Sequence, residues 1–82
     1  MLKGKTALVT GSTSGIGLGI AEAFAAAGAN LILNGFGAAH DIESLRRRLA
    51  EQHGVAVRHD AADMSQPEAI EAMMQRALQE KR

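Results

Sequence analysis

The chain has 82 residues, nine basic and nine acidic side chains giving a net charge of zero, no Cys, no Trp, no Tyr and one Pro. That length bounds it to one small domain, residues 1–82, and the lack of Cys excludes a disulfide-stapled secreted scaffold and a thiolate metal centre. A zero net charge leaves no long-range field to gather nucleic acid or an anionic membrane, so neither is expected as a partner, and a reducing, cytoplasmic setting fits best.

Much of the 46% hydrophobic fraction is alanine, so elements must pack with their backbones close together. The amino terminus leads straight into a strand-like apolar run, residues 5–10, with no apolar targeting region before it. From Ile16 the period changes: Ile16, Ile20, Ala23, Phe24 and Ala27 recur at helical intervals, and Gly28 supplies the stop. The longest uncharged apolar stretch, residues 23–33, is too short to span a bilayer. Residues 30–34 read as a second strand, ended by Gly35-Phe36-Gly37. Ile42, Leu45 and Leu49 then form a helical stripe that ends at His53 and Gly54. Arg46, Arg47 and Arg48 lie on its other side among Asp41, Glu43 and Glu51, as a solvated face. Residues 55–60 alternate as a third strand. Ser65-Gln66-Pro67-Glu68 reads as a capping box, with Ser65 bonding the third helical residue and Glu68 reaching back, and Ile70, Met73, Met74, Ala77 and Leu78 follow at helical spacing.

Three strand-helix units with short connections predict an α/β fold. Its strands run parallel, its crossovers are right-handed and its helices cover both faces of the sheet.

The segment that carries chemistry is Thr10-Gly11-Ser12-Thr13-Ser14-Gly15-Ile16-Gly17, between the first strand and the first helix. There Gly11 allows a tight turn out of the strand, Gly15 lets a pyrophosphate approach backbone with no Cβ in the way, and Gly17 lets the helix lie close to the sheet. The N–H groups of the first helical turn, with the Ser and Thr hydroxyls, are placed to hold phosphates. The spacing is Gly-x-x-x-Gly-x-Gly rather than Gly-x-Gly-x-x-Gly, and no Lys follows the last glycine as a P-loop requires.

Thr-Gly-x-x-x-Gly-Ile-Gly after a first strand resembles the cofactor motif of the short-chain dehydrogenase/reductase family. Residues 1–21, with Leu33-Asn34-Gly35-Phe36-Gly37, are similar to its bacterial 3-hydroxybutyrate dehydrogenase subgroup. The resemblance implies a Rossmann-like half-fold of three layers, three parallel strands in the order 3-2-1 alternating with three helices. It also implies cofactor contacts from Gly11, Thr13, Ser14, Gly15, Ile16 and Gly17. Phe36 would lie against the adenosine end, and Asp63 would accept a hydrogen bond from the adenine amino group, with Ala62 and Met64 lining the same pocket. On spacing alone Asp63 reads equally as a solvated acid near a helix start, and Phe36 as a packing aromatic.

Many relatives that bind NAD place an acid at the end of the second strand to bond the ribose. Asn34-Gly35-Phe36 stands there instead, and no Arg or Lys occupies Ser14 or the positions just after that strand to clamp a 2′-phosphate, so NAD is expected over NADP. His40, in a loop, His53, at a helix end, and His59, in a strand, have no metal-binding spacing, and no metal site is expected. The methionines read as core filling.

The family's acid/base Tyr, the Lys four residues after it and the orienting Ser have no counterpart, since the chain has no Tyr. The resemblance therefore implies the NAD-binding amino-terminal portion of a dehydrogenase, inactive alone, whose full-length form would be a homo-oligomer. With three strands, the first is left as an edge, so self-association is expected. Two alternatives stand beside this: a non-catalytic interaction module, and an S-adenosylmethionine binder. The second rests on Gly15-Ile16-Gly17-Leu18-Gly19, though the acids that accompany such loops are absent.

Overall fold

Alternating strand and helix patterns become six elements in the computed structural model, which describes residues 2–79: β1 (Thr6–Val9), α1 (Gly15–Ala26), β2 (Asn30–Asn34), α2 (Ala39–His53), β3 (Val57–Asp60) and α3 (Pro67–Gln79). The strands are parallel in the order β1-β2-β3, with Leu8 opposite Ile32 and Ile32 opposite Arg58. Residues 30–34 are a strand as expected. The third strand is shorter than its alternation suggested, because the Val55 N–H closes α2 on the Ala50 carbonyl and the Ala56 N–H turns to the Asn30 side chain.

Alternation along the strands sorts the layers. Val9, Leu31, Leu33 and Val57 share a core with Ala21 and Ala25 of α1 and Leu49 of α2, so these two helices cover one face. Each fully buried Leu there contributes about 2 kcal/mol. Ile32 and Asp60 point to the opposite face, where α3 brings Arg76 onto the Asp60 carboxylate and buries Met73. Helices therefore flank the sheet on both sides, as the βαβ pattern requires.

Three expectations about the helices change. The large apolar stripe of α1 faces outward: Ile16 is 85% and Ile20 46% exposed, whereas Ala21 and Ala25 are buried. The face of the helix turned to the sheet carries Ala21 and Ala25, with Leu18 packed partly buried at its start, so small side chains make most of the contact. At α3 no capping box forms. The helix starts at Pro67, the Gln66 carbonyl accepts its first bonds from Ala69 and Ile70, and the Ser65 hydroxyl donates to Asp63 at 2.7 Å. Proline is favoured at the first helical position, which fixes the cap at residue 66, one residue beyond Ser65. His40, expected in a loop, belongs to the first turn of α2.

The arginine run is a paired helix face. Arg46 and Arg47 both bond Glu43, which holds that carboxyl down to about 2, chiefly through the Arg46 hydrogen bond. Arg48 reaches Glu22 of α1 at 2.9 Å. Arg46 also donates to the Val57 carbonyl at 3.1 Å, tying α2 to β3. Among the described residues no helix is long and apolar enough to cross a membrane.

Candidate functional site

The carboxyl ends of the three strands release their loops side by side, and the backbone of the first loop is shaped by glycine. Gly15 takes φ +61°, a left-handed conformation that strains any residue with a Cβ, and a Cβ built there meets nothing within 4 Å. The space above it is open to a ligand. Gly17 is the opposite case, because a Cβ there would overlap the Gly11 carbonyl, so the start of α1 lies directly against the loop. Ser14 is the N-cap in extended conformation without a side-chain cap bond, and the first i→i−4 bond is Leu18 N–H to the Ser14 carbonyl at 3.2 Å. The N–H groups of Gly15, Ile16 and Gly17 precede that bond, in the arrangement that favours an anion at a helix start.

Ser12 turns the other way and is fully buried. Its N–H donates to the Asn34 carbonyl at 2.7 Å, its hydroxyl donates to the same oxygen at 3.3 Å, and it accepts the Asn34 N–H at 3.0 Å. Of the hydroxyls expected to hold phosphates, this one is committed to the fold. Thr13, next along, donates to the Phe36 carbonyl at 3.1 Å. The glycine loop is thus bonded to the exit of β2 at two successive positions.

At that exit Phe36 is 70% exposed and borders a groove of about 300 Å³, lined also by Thr13, Leu18, Asp41, Ile42 and Leu45. Asp41 supplies the carboxylate of this groove, and among the described residues no Lys or Arg lines it. Asn34, where an acid was sought, points its amide away from the groove and donates to the Asp60 carbonyl at 3.0 Å and the Ala62 carbonyl at 3.1 Å. It is buried, and both of its side-chain N–H groups go to the third loop.

The third loop is held from beneath. The Asp60 side chain, 4% exposed, accepts Arg76 through both oxygens at 2.7 and 2.8 Å and takes the Ala62 N–H at 3.1 Å. The bidentate Arg76 guanidinium keeps its carboxyl below the usual range against the opposing effect of burial. Ala62 is part-buried between Asn34 and Asp60, while Asp63 and Met64 lie on the exposed part of the loop. The Asp63 Oδ1 accepts the N–H and hydroxyl of Ser65 at 2.9 and 2.7 Å, and these bonds lower its pKa. Asp63 is therefore an organised carboxylate, kept ionised and fixed at the approach to α3.

The structure gathers the loops that carry Gly11, Thr13, Ser14, Gly15, Ile16, Gly17, Phe36, Ala62, Asp63 and Met64 at one end of the sheet. The residues that join them are Ser12, Asn34, His59 and Arg76. In the sequence Ser12 lies within the glycine motif, Asn34 stands where an acid is usual and His59 is a strand histidine without metal spacing, so the joining role of each was missed; Arg76 carried no signal. Among the described residues no group of three or more His, Asp or Glu side chains is placed to hold a metal ion.

Comparison with known proteins places this geometry. Residues 5–82 match the family model of the short chain dehydrogenases. The D-beta-hydroxybutyrate dehydrogenase of Cupriavidus necator is 56% identical over 78 residues, covering 94% of this chain and 29% of that protein. The enzyme of the same name from Rhizobium meliloti is 51% identical over 70 residues, covering 85% of this chain and 27% of its own. The solved structure of L-sorbose reductase from Gluconobacter frateurii, in complex with NADPH and L-sorbose, superposes with a TM-score of 0.86 at 38% identity, over 96% of this chain and 30% of that one. The chain thus spans under a third of the length of these relatives. A glycine-shaped loop at the mouth of a parallel sheet, together with a family match over nearly the whole chain, shows that it belongs to the short-chain dehydrogenase family.

Proposed function

We propose that this chain is the NAD-binding amino-terminal portion of a short-chain dehydrogenase whose full-length form oxidises D-3-hydroxybutyrate to acetoacetate. The observation that carries the reading is the open, left-handed Gly15 beside the unpaired first turn of α1, a cradle that a Cβ would strain and a phosphate would complete. Gly11, Ser14, Gly15, Ile16 and Gly17 would hold the pyrophosphate, with Thr13 contributing through its backbone, since its hydroxyl donates to the Phe36 carbonyl. Phe36 would lie against the adenosine, and Asp63, with Ala62 and Met64, would meet the adenine. NAD, when bound, supplies the hydride acceptor.

The choice of NAD over NADP is supported by Asp41, which places a carboxylate in the groove beside Phe36 where, among the described residues, no Lys or Arg lines it. The D-3-hydroxybutyrate reading is supported by the identity to two dehydrogenases of that name. With no Tyr in the chain, the family's usual acid/base is missing, so these residues alone would bind cofactor without turnover. A cytoplasmic setting belongs to the same reading.

Calorimetric titration with NAD, NADP and S-adenosylmethionine tests it. Saturable NAD binding, weaker NADP binding and loss of both in Gly15→Arg are expected; no NAD binding by a folded chain overturns it. β1 has a partner strand on one side only among the described residues, which supports self-association through its outer edge. Sedimentation should show oligomer growing with concentration, and a monomer throughout would count against that part.

A further inference from the structure

His59, the penultimate residue of β3, lies opposite Leu33, and its Nε2 is 2.9 Å from the Gly35 carbonyl oxygen. A carbonyl can only accept, so this nitrogen carries the ring proton. One residue further along, the Phe36 carbonyl is held from the other side by the Thr13 hydroxyl. Successive carbonyls of one short segment are therefore bonded to two different elements, β3 and the glycine loop, and the Phe36 ring stands on that segment with little packing of its own, 70% exposed. Where packing does not fix an aromatic side chain, the backbone beneath it must.

We infer that His59 is a positioning residue, which presents Phe36 to the adenosine end of the cofactor by holding the Gly35 carbonyl. The inference rests on the cofactor reading above. Neither of the other histidines is placed to do this: His40 is exposed beside Asp41, and His53 closes α2 at the opposite end of the sheet. Removing the donor leaves the segment tethered by Thr13 alone. Adenosine would then have to order it on binding, which lowers affinity without removing a contact.

The test is calorimetric titration of the unaltered chain, His59→Leu and His59→Gln with NAD and with AMP, which shares only the adenosine end. Titrations are run where circular dichroism shows each variant folded. His59→Leu should raise both dissociation constants by about five- to tenfold, the loss of one hydrogen bond's worth of preorganisation. His59→Gln, which keeps an amide N–H at similar reach, should restore both to within about twofold. Equal binding by His59→Leu and the unaltered chain overturns the inference, as does a folded His59→Gln no better than His59→Leu. If His59→Leu does not fold, the ring ¹⁵N shifts of the unaltered chain decide: a proton on Nε2 that persists when AMP is added supports the inference, and one on Nδ1 alone overturns it. A chain that shows the Nε2 proton but binds neither NAD nor AMP overturns the cofactor reading, and this inference with it.

Discussion

Ser12 and Asn34 are joined by three hydrogen bonds, through which a loop residue continues the pairing of β1 with β2 past the end of β1. Their side chains divide the work. The Ser12 hydroxyl closes on the Asn34 backbone, and the Asn34 amide reaches on to the Asp60 and Ala62 carbonyls. One buried chain of bonds thereby fixes the relative positions of all three loops. In a fold whose ligand must be met by three separate segments, such fixing removes ordering that binding would otherwise have to supply.

That arrangement decides what an acid at the end of β2 would do here. Asn34→Asp removes two donors and turns a carboxylate towards two carbonyl oxygens in a buried site. The expected loss is about 2–3 kcal/mol, on the order of 10 °C or more in a chain of this size, with no gain in NAD affinity. Thermal unfolding and an NAD titration check both parts, and tighter binding by this variant would show that the side chain faces the ligand.

Gly17 and Gly19 lie two residues apart in α1 and should respond oppositely to alanine. At Gly17 the new methyl would overlap the backbone of Gly11, which cannot yield as a flexible side chain could. Gly17→Ala is expected to cost about 2–4 kcal/mol or displace the loop. At Gly19 a Cβ meets nothing within 4 Å, and Gly19→Ala should stabilise by about 0.5–1 kcal/mol through helix propensity. Urea unfolding of the pair measures the contrast.

Asp41 tests the preference for NAD. The extra phosphate of NADP would enter a groove that holds this carboxylate and, among the described residues, no Lys or Arg. Asp41→Asn is expected to strengthen NADP binding about three- to tenfold while leaving NAD within about twofold. Parallel titrations give the ratio, and an unchanged ratio would place the discrimination elsewhere.

How much was legible in the sequence follows from the range of the interactions. The glycine loop, the 30–34 strand and the Gly54 end of α2 depend on neighbours a few residues apart, and composition and period reveal them. The joints of the site do not. Ser12 to Asn34, Asn34 to Ala62, and His59 to Gly35 each span more than twenty residues, and no local pattern says that these partners meet. Period also found α1 while misleading about its face. Ile16, Ile20 and Phe24 form the conspicuous stripe, yet close approach to the sheet favours Ala21 and Ala25 beneath the helix. At α3 a capping-box pattern competed with a proline signal, and the proline, which fixes a backbone angle, prevailed over a side-chain bond.

Arg76 and Asp60 make the stability of the third loop depend on pH. The Asp60 carboxyl is lowered in the folded state, chiefly by the Arg76 hydrogen bonds, so its ionised form is favoured more in the folded chain than in the unfolded one. The contribution is present in full above the unfolded carboxylate range, near pH 4, and is lost as pH falls through the lower folded value. Because Arg76 is half exposed, solvent screens part of the attraction, and Arg76→Ala should lower stability at pH 7 by a modest but measurable amount. Arg76→Lys should recover less than half of that, since an ammonium cannot match both oxygens at once. Denaturant unfolding from pH 7 to pH 2.5 should show the difference between the unaltered chain and Arg76→Ala shrinking once Asp60 is protonated. A difference that stayed constant over that span would assign the effect of Arg76 to packing instead of charge.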